Sequence, residues 1–312
     1  MGAIVVLGSL NMDFVVSVDR LPAPGETTLG RNFQMLPGGK GANQACAAGR
    51  LTASGIGARM IGRVGYDVFG DHLKASLSAA GVDVGGVHAT RSQPTGVALI
   101  WVDRQGQNSI VVASGANHAL TATEVEAMGP VFRSASFALF QLETPMDAVA
   151  AGLKLARSNG ARTILDPAPV RELSEDVLRL VDLLTPNEIE ASMLLGIPPA
   201  RIDRVEAPAV GRRLLERGPR AVVLKLGDQG CFYFDGTVEL FSPAFEVEAK
   251  DATAAGDVFN AALAVALNDG VAIEHALRFA NAAAAISVTR MGAQASVPSR
   301  VEVEEFLKAK PL

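Results

Sequence analysis

Hydrophobic and polar positions along the chain fall into two rhythms. From about residue 137, short apolar runs alternate with helical stretches. Residues 137–141, 163–165, 183–185 and 221–226 predict strands, and 146–158, 188–195 and 207–217 predict helices. Strands separated by helices imply parallel βαβ units. Earlier, the apolar run 4–7 before Gly8-Ser9 predicts a buried first strand, 41–51 a small-residue helix, 58–62 a strand and 68–80 a helix. Two segments break this pattern. Residues 11–35, punctuated by Pro22, Pro24 and Gly25, and residues 95–114, turning at 104–107, alternate apolar and polar positions. They predict a small β-sheet lid on a single α/β body spanning 1–312. Open parallel sheets bind ligands beyond the carboxyl ends of their strands, so chemistry is expected just after them.

Composition narrows the function classes. The 312 residues are 49% hydrophobic, enough for a sizeable core. Net charge is −5, from 28 basic and 33 acidic residues, with no basic stripe, so nucleic acid is not an expected partner. Cys46 and Cys231 lie in apolar runs and predict buried free thiols in a reducing compartment. The four histidines have no metal-ligand spacing. No basic leader and no membrane-length apolar run is present, so a cytoplasmic protein without a membrane partner is expected.

The strongest local feature is Asp251-Ala-Thr-Ala-Ala-Gly-Asp257-Val-Phe-Asn260 before the apolar run 261–267. Small residues at a helix start leave backbone N–H groups open to a phosphate, and Asp257 then lies in the first turn. Asp257 is either a base beside that phosphate or a carboxylate complementing the helix dipole. A helix start lowers a carboxyl pKa and predicts a weak base, which the loose transition state of phosphoryl transfer tolerates. The segment Gly38-Gly39-Lys40-Gly41-Ala42-Asn43 fails the P-loop pattern, because Gln34 stands upstream and Gly41 follows Lys40. It reads as a glycine turn opening backbone to a small polar ligand, with Lys40 and Asn43 as donors, or as a plain helix cap. Asn11 and Asp13 are either sugar-hydroxyl partners or an Asx turn. Asn187 and Glu190 have capping-box spacing or serve phosphates and Mg²⁺. Lys225-Leu226-Gly227-Asp228-Gln229-Gly230 covers a nucleotide or forms a hairpin turn. Glu143, and Asp166 before its prolines, follow strands as candidate ligand contacts.

In this order the motifs resemble the ribokinase family of carbohydrate kinases. The resemblance runs from Asn11-Met-Asp13 through Gly38–Asn43 and Thr185-Pro-Asn-Glu188 to the Asp257 motif, and ends at Ser296. It implies a three-layer α/β body with a mostly parallel central sheet and a β lid that often forms a homodimer interface. It implies ATP-dependent transfer to the 5-hydroxyl of D-ribose. The alternatives are 2-deoxyribose, another sugar or a nucleoside as acceptor, and a catalytically silent sugar-binding protein. Asn11, Asp13, Gly39, Lys40, Gly41, Ala42, Asn43 and Glu143 are then expected to hold the sugar. Asp257 is the expected base, and Ala254, Ala255 and Gly256 the expected anion hole. Asn187, Lys225 through Gly230, and Asn281 are expected at the nucleotide, and Glu190 at water around Mg²⁺. A monovalent cation, usually K⁺, is expected at Asp251, Thr253, Ser287, Arg290, Gly292 and Ser296. Four positions depart from the family pattern: Tyr66 for an acidic residue, Lys225 for Thr, Ala252 for Thr and Ala295 for Pro.

Overall fold

The computed structural model describes residues 2–53, 57–105 and 107–310. Its main sheet draws on β1 (Ala3–Leu7), β4 (Ala58–Gly65), β5 (Val82–Thr90), β8 (Ala135–Phe140), β9 (Arg162–Leu165), β10 (Leu183–Leu184), β11 (Ala221–Lys225), β12 (Gly230–Phe234) and β13 (Glu239–Pro243). The strand order is β13-β12-β11-β10-β9-β8-β1-β4-β5. Strands β11 through β5 in that order run parallel, and β12 and β13 turn back antiparallel at one edge. Such a sheet is stable only with both faces covered. Ile4 and Val6 of β1 enter one apolar cluster with the helices Lys40–Leu51, Ala255–Asn268 and Ile273–Val288. Val5 and Leu7 point the other way, into a second cluster with Met146–Ser158 and Ala207–Leu215. These are the three layers expected from the sequence.

The remaining strands, β2 (Asn11–Ser17), β3 (Arg31–Gly38), β6 (Gly96–Val102) and β7 (Asn108–Ala113), form one separate sheet ordered β3-β2-β6-β7. The two β segments read in the sequence thus join through the parallel pair β2–β6. The turn expected at 104–107 includes Gly106, which lies outside the described residues. Strand β5 and the helix Ile273–Val288 were not assigned by the pattern. Gly85-Gly86 interrupts the alternation of β5, and the alanine-rich run 282–285 blurs the polar face of the helix.

The chain leaves β1, traverses β2 and β3, and returns through the helix Lys40–Leu51 across the end of β1. That crossing is tight. A Cβ on Gly41 would stand 2.6 Å from the Gly8 carbonyl carbon and from the Ser9 nitrogen. Gly41 therefore serves backbone packing at this crossing. Ala42, fully buried, donates its N–H to the Ser9 carbonyl at 2.8 Å and is likewise structural. Both were expected among the sugar-holding residues. Gly41→Ala is expected to cost about 1–3 kcal/mol through backbone displacement. Urea unfolding with an unchanged midpoint would contradict this packing argument.

Candidate active site

The carboxyl ends of β9, β10 and β11 converge with the N-termini of three helices on one open cleft of about 380 Å³. Lys40, Asp166, Asn187, Glu190, Lys225 and Asp257 reach it. Asp257 stands in the first turn of Ala255–Asn268 and is 5% exposed. Its position begins with Ala254, which caps that helix at φ 61°, a left-handed conformation unusual for a residue bearing a Cβ. The Ala255 N–H turns back to the Ala252 carbonyl at 3.2 Å. The N–H groups of Gly256 and Asp257 have no acceptor among the described residues. The free donors therefore include Gly256 and Asp257, displaced from the expected set by the engaged Ala255.

Two amides orient the Asp257 carboxylate. Asn43 Nδ2 donates to Oδ2 at 3.1 Å, and Gln44 Nε2 donates to Oδ1 at 3.0 Å. Gln44 Nε2 also reaches Asp166 Oδ2 at 3.2 Å, and its Oε1 accepts from Gln141 Nε2 at 2.7 Å. Burial raises the Asp257 pKa to about 6; Lys40 and the two amides oppose this and Asp166 adds to it. The weak base expected from the helix dipole is thus corrected: desolvation outweighs the dipole, and Asp257 is a stronger base than a free carboxylate. The Lys40 ammonium is held above its ordinary pKa: burial works against its charge, but Asp257, Asp166, Glu143 and Glu190 prevail.

A second polar group lies where β1 passes into the lid. Ser9 Oγ donates to Glu143 Oε2, which also accepts the Lys40 N–H at 3.2 Å. Asn11 Oδ1 accepts from Asn117 Nδ2 at 2.7 Å. Asp13 is buried, its carboxylate lies over Gly38, and burial followed by Glu143 and Asp257 raises its pKa to about 7. Asn43 Oδ1 is buried without a partner among the described residues, an acceptor left for a hydroxyl donor. Gly39, at φ 90°, caps the helix Lys40–Leu51 and packs within 2.7 Å of the Asn11 nitrogen if given a Cβ.

Around the far end of the cleft, Asn187 and Glu190 form the reciprocal capping box, at 2.8 and 2.7 Å. Burial raises the Glu190 pKa; Lys225 opposes this and Asp166 adds to it. Of residues 225–230, Lys225 and Gly227 line the cleft. Leu226 is buried in the core, Asp228 pairs outward with Arg201, Gln229 Nε2 donates to the Ile202 carbonyl at 3.1 Å, and Gly230 begins β12. Asn281 Nδ2 turns to Ser242 Oγ, the Ser242 carbonyl and the Pro243 carbonyl at 3.0–3.2 Å, so it pins β13 to its helix. Asp251 accepts the Thr253 and Gly292 N–H groups at 2.9 and 2.8 Å, and these bonds hold its pKa low despite partial burial. The Ser287 carbonyl receives the Arg290 N–H, and Ser296 Oγ donates to the Ala293 carbonyl. Of the departures, Ala252 lines the cleft, Lys225 pairs with Asp166, Tyr66 is exposed beneath Arg91, and Ala295 is exposed.

Sequence reasoning assigned no role to Ser9, Gln44, Asn117 or Gln141. All four are buried polar residues, and their roles come from partners about 100 to 200 residues away in sequence.

Known proteins are similar to this chain across nearly their whole length. The pattern described as pfkB family carbohydrate kinase matches residues 1–300. The chain is 43% identical to a Bacillus subtilis ribokinase over 305 residues, covering 97% of this chain and 99% of that one. It is 32% identical to a Salmonella typhimurium deoxyribokinase over 305 residues, covering 97% and 98%. The solved structure of an Arabidopsis thaliana ribokinase complexed with ribose and ATP superposes with a TM-score of 0.91 at 34% identity, covering 98% and 99%. With a match over nearly its whole length and this cleft at the strand ends, the chain belongs to the pfkB family of carbohydrate kinases and is an ATP-dependent sugar kinase.

Proposed function

We propose that this chain transfers the γ-phosphoryl group of ATP to the 5-hydroxyl of D-ribose, with Asp257 as the base. The observation that carries the reading is the position of Asp257. Its oriented carboxylate lies between unpaired helix N–H groups and the polar cluster of Asn11, Asp13, Asn43 and Glu143. The ribose and ATP complex of the Arabidopsis relative, and 43% identity to a ribokinase against 32% to a deoxyribokinase, support ribose as acceptor.

In this reading the sugar lies against Asn11, Asp13, Asn43, Lys40 and Glu143. Its 5-hydroxyl faces Asp257, which takes the proton as the oxygen bonds to the γ-phosphorus. The bond to the bridging oxygen breaks, and its electron pair leaves with ADP. The N–H groups of Gly256 and Asp257 meet the charge on the transferring group. Asn187 and Gly227 border the nucleotide. Glu190 would hold water of a Mg²⁺ ion that neutralises the phosphates; a single protein carboxylate suffices, since Mg²⁺ keeps several waters. Asp251 already ties the loop before the catalytic helix to Gly292. A K⁺ ion at Asp251 and Ser296, with carbonyls of Thr253, Ser287, Arg290 and Gly292, would strengthen the field at the phosphate. The lid exposes Leu29, Phe33, Met35, Ile110 and Val111, an apolar surface suited to a second copy of the chain. The buried free thiols Cys46 and Cys231 support a cytoplasmic location.

Asp257→Asn is expected to lower turnover by about 10²–10⁴-fold while ADP still binds by calorimetry. A purified variant retaining most of its rate refutes the base assignment. A folded-state pKa of about 6 against 3.8 means Asp257 favours folding only while protonated, and loses that contribution as pH rises through about 6. The variant should therefore melt higher than wild type above pH 6, and the difference should vanish as pH falls toward 3.8. For ribose, kcat/KM should rise with pH through about 6 and about 7, as Asp257 and Asp13 ionise. Asp13→Asn should remove the upper inflection, and a profile flat across that range would contradict both assignments. Initial rates on a pentose panel, with and without K⁺, test the acceptor; preference for 2-deoxyribose would overturn ribose.

A further inference from the structure

The lid meets the body where β2 starts at Asn11, β6 starts at Gly96, and the turn Gly115–Ala119 follows the end of β7. Asn11 stands opposite Gly96 in the register of β2 and β6. Asn117 lies beside that pair and is 1% exposed. The turn sets its position: the Ala116 N–H donates to the Pro94 carbonyl at 2.8 Å, and the Asn117 N–H to the Ser114 carbonyl at 3.0 Å. Gly96 leaves room for the side chains. A Cβ there would stand 2.3 Å from Asn11 Oδ1 and 2.4 Å from Asn117 Nδ2. The direction of the two amides follows from the backbone. Asn117 Oδ1 accepts the Leu10 N–H at 2.9 Å, and Asn117 Nδ2 donates to the Leu10 carbonyl at 3.1 Å. A backbone N–H cannot accept and a carbonyl cannot donate, so the Asn117 amide has one possible orientation. Its second N–H goes to Asn11 at 2.7 Å, and only the Asn11 oxygen can receive it. Asn11 Oδ1 is thereby spent, and Asn11 Nδ2 has no acceptor among the described residues. Asp13 lies two residues on, on the same face of β2, and Glu143 and Asp257 act on its carboxyl, so that face is turned to the site.

We infer that Asn117 is a positioning residue for sugar recognition: it turns the Asn11 side chain so that an N–H donor, and not the carbonyl oxygen, meets the sugar. This rests on the placement of the sugar against Asn11 in the proposed function. An asparagine free to rotate can present either end of its amide, since the two ends have nearly the same shape. Asn117 removes that choice before any sugar arrives, so the sugar does not have to order the side chain on binding. The sugar face against β2 is then read by a fixed donor at Asn11 and by carboxylate oxygens at Asp13. A hydroxyl serves both, accepting from Asn11 and donating to Asp13. A sugar that lacks the oxygen opposite Asn11 leaves the donor unpaired, and Asn11 cannot turn to adapt. Asn117 acts only through Asn11 and exchanges no proton. Its two bonds to Leu10 suffice for a structural role; the third, to Asn11, is the one that reaches the site.

The test is a double-mutant cycle between Asn11→Ala and Asn117→Ala, read by steady-state kinetics and by thermal melting. The sugar is D-ribose, or the sugar that wild type prefers if initial rates overturn ribose. Each single variant should raise KM for the sugar by about 2- to 10-fold, the loss of one hydrogen bond, with KM for ATP unchanged. Added to Asn11→Ala, Asn117→Ala should raise KM no further, because no amide is left to orient. It should still lower the melting temperature in both backgrounds, because the Leu10 backbone loses its partner. Asn117→Ser, which keeps a polar group at smaller volume, takes the place of Asn117→Ala if that variant does not fold. Equal increases of KM in the two backgrounds, or a wild-type KM in the Asn117 variant alone, would overturn the inference and leave Asn117 a structural residue. A wild-type KM in Asn11→Ala would instead refute the placement of the sugar against Asn11, and the inference with it.

Discussion

The hydrogen bonds from Asn43 and Gln44 to Asp257 are the interaction on which the rest of the site depends. They join the first turn of Lys40–Leu51 to the first turn of Ala255–Asn268, across more than 200 residues of sequence. Both helices pack on the same face of the main sheet and against each other. Their contact therefore fixes where a base can stand relative to β1 and to the lid that β2 begins. Burial pushes the pKa of this carboxyl up and Asp166 adds to it, while Lys40 and then the two amides oppose it. With them its pKa stays near 6, high enough for a base and low enough to be ionised at pH 7. The remaining elevation corresponds to roughly 3 kcal/mol against the folded state, strain of a kind that tends to collect at functional sites.

That cost has an identifiable source. Among the described residues, Asp13, Glu143, Asp166, Glu190 and Asp257 surround only two ammonium groups, Lys40 and Lys225. Burial raises the pKa values of Asp13, Glu190 and Asp257 first, neighbouring carboxylates add to it, and carboxylates hold Lys40 firmly protonated. A cleft so charged is poorly arranged for a bare triphosphate. In the proposed reading it would suit a nucleotide already neutralised by a divalent cation, with helix N–H groups and ammonium groups completing the match.

Much of this architecture was legible in the sequence, for a definite reason. Strands buried on both faces read as apolar runs, and β1, β8, β9 and β11 appeared within two residues of their observed bounds. The helix Met146–Ser158 has matching ends because Pro145 and Asn159 mark them. The site was legible where one backbone segment carries several functional groups, as around Gly39-Lys40 and Asp257. It was illegible where function comes from a pairing. Gln44, Asn117 and Gln141 are ordinary polar residues until the fold brings their partners to them. Gly41 and Ala42 show a second limit: small residues at a helix start signal close approach, and here the backbone of Gly8 and Ser9 is an approaching group. Asp257 shows the limit of a local rule, since the helix start alone argues for a lowered pKa and burial reverses it.

The same reasoning explains why the unliganded site stores unmet demands. Ala254 is held at positive φ, at a cost on the order of 1–2 kcal/mol, by a loop that Asp251 fastens to Gly292. That conformation leaves the Gly256 and Asp257 N–H groups unpaired. Asn43 Oδ1 is buried with no donor, and the carboxylates outnumber the ammonium groups around them. None of these features stabilises the free protein. In the proposed reading a phosphate would satisfy the N–H groups, a sugar hydroxyl would satisfy Asn43, and a divalent cation would offset the carboxylates. Each ligand relieves a different deficit of one connected network through Gln44 and Asp166, so the occupancy of one subsite changes the electrostatics met by the next. On that reading nucleotide and sugar would be coupled through the network itself, before any movement of the lid is considered.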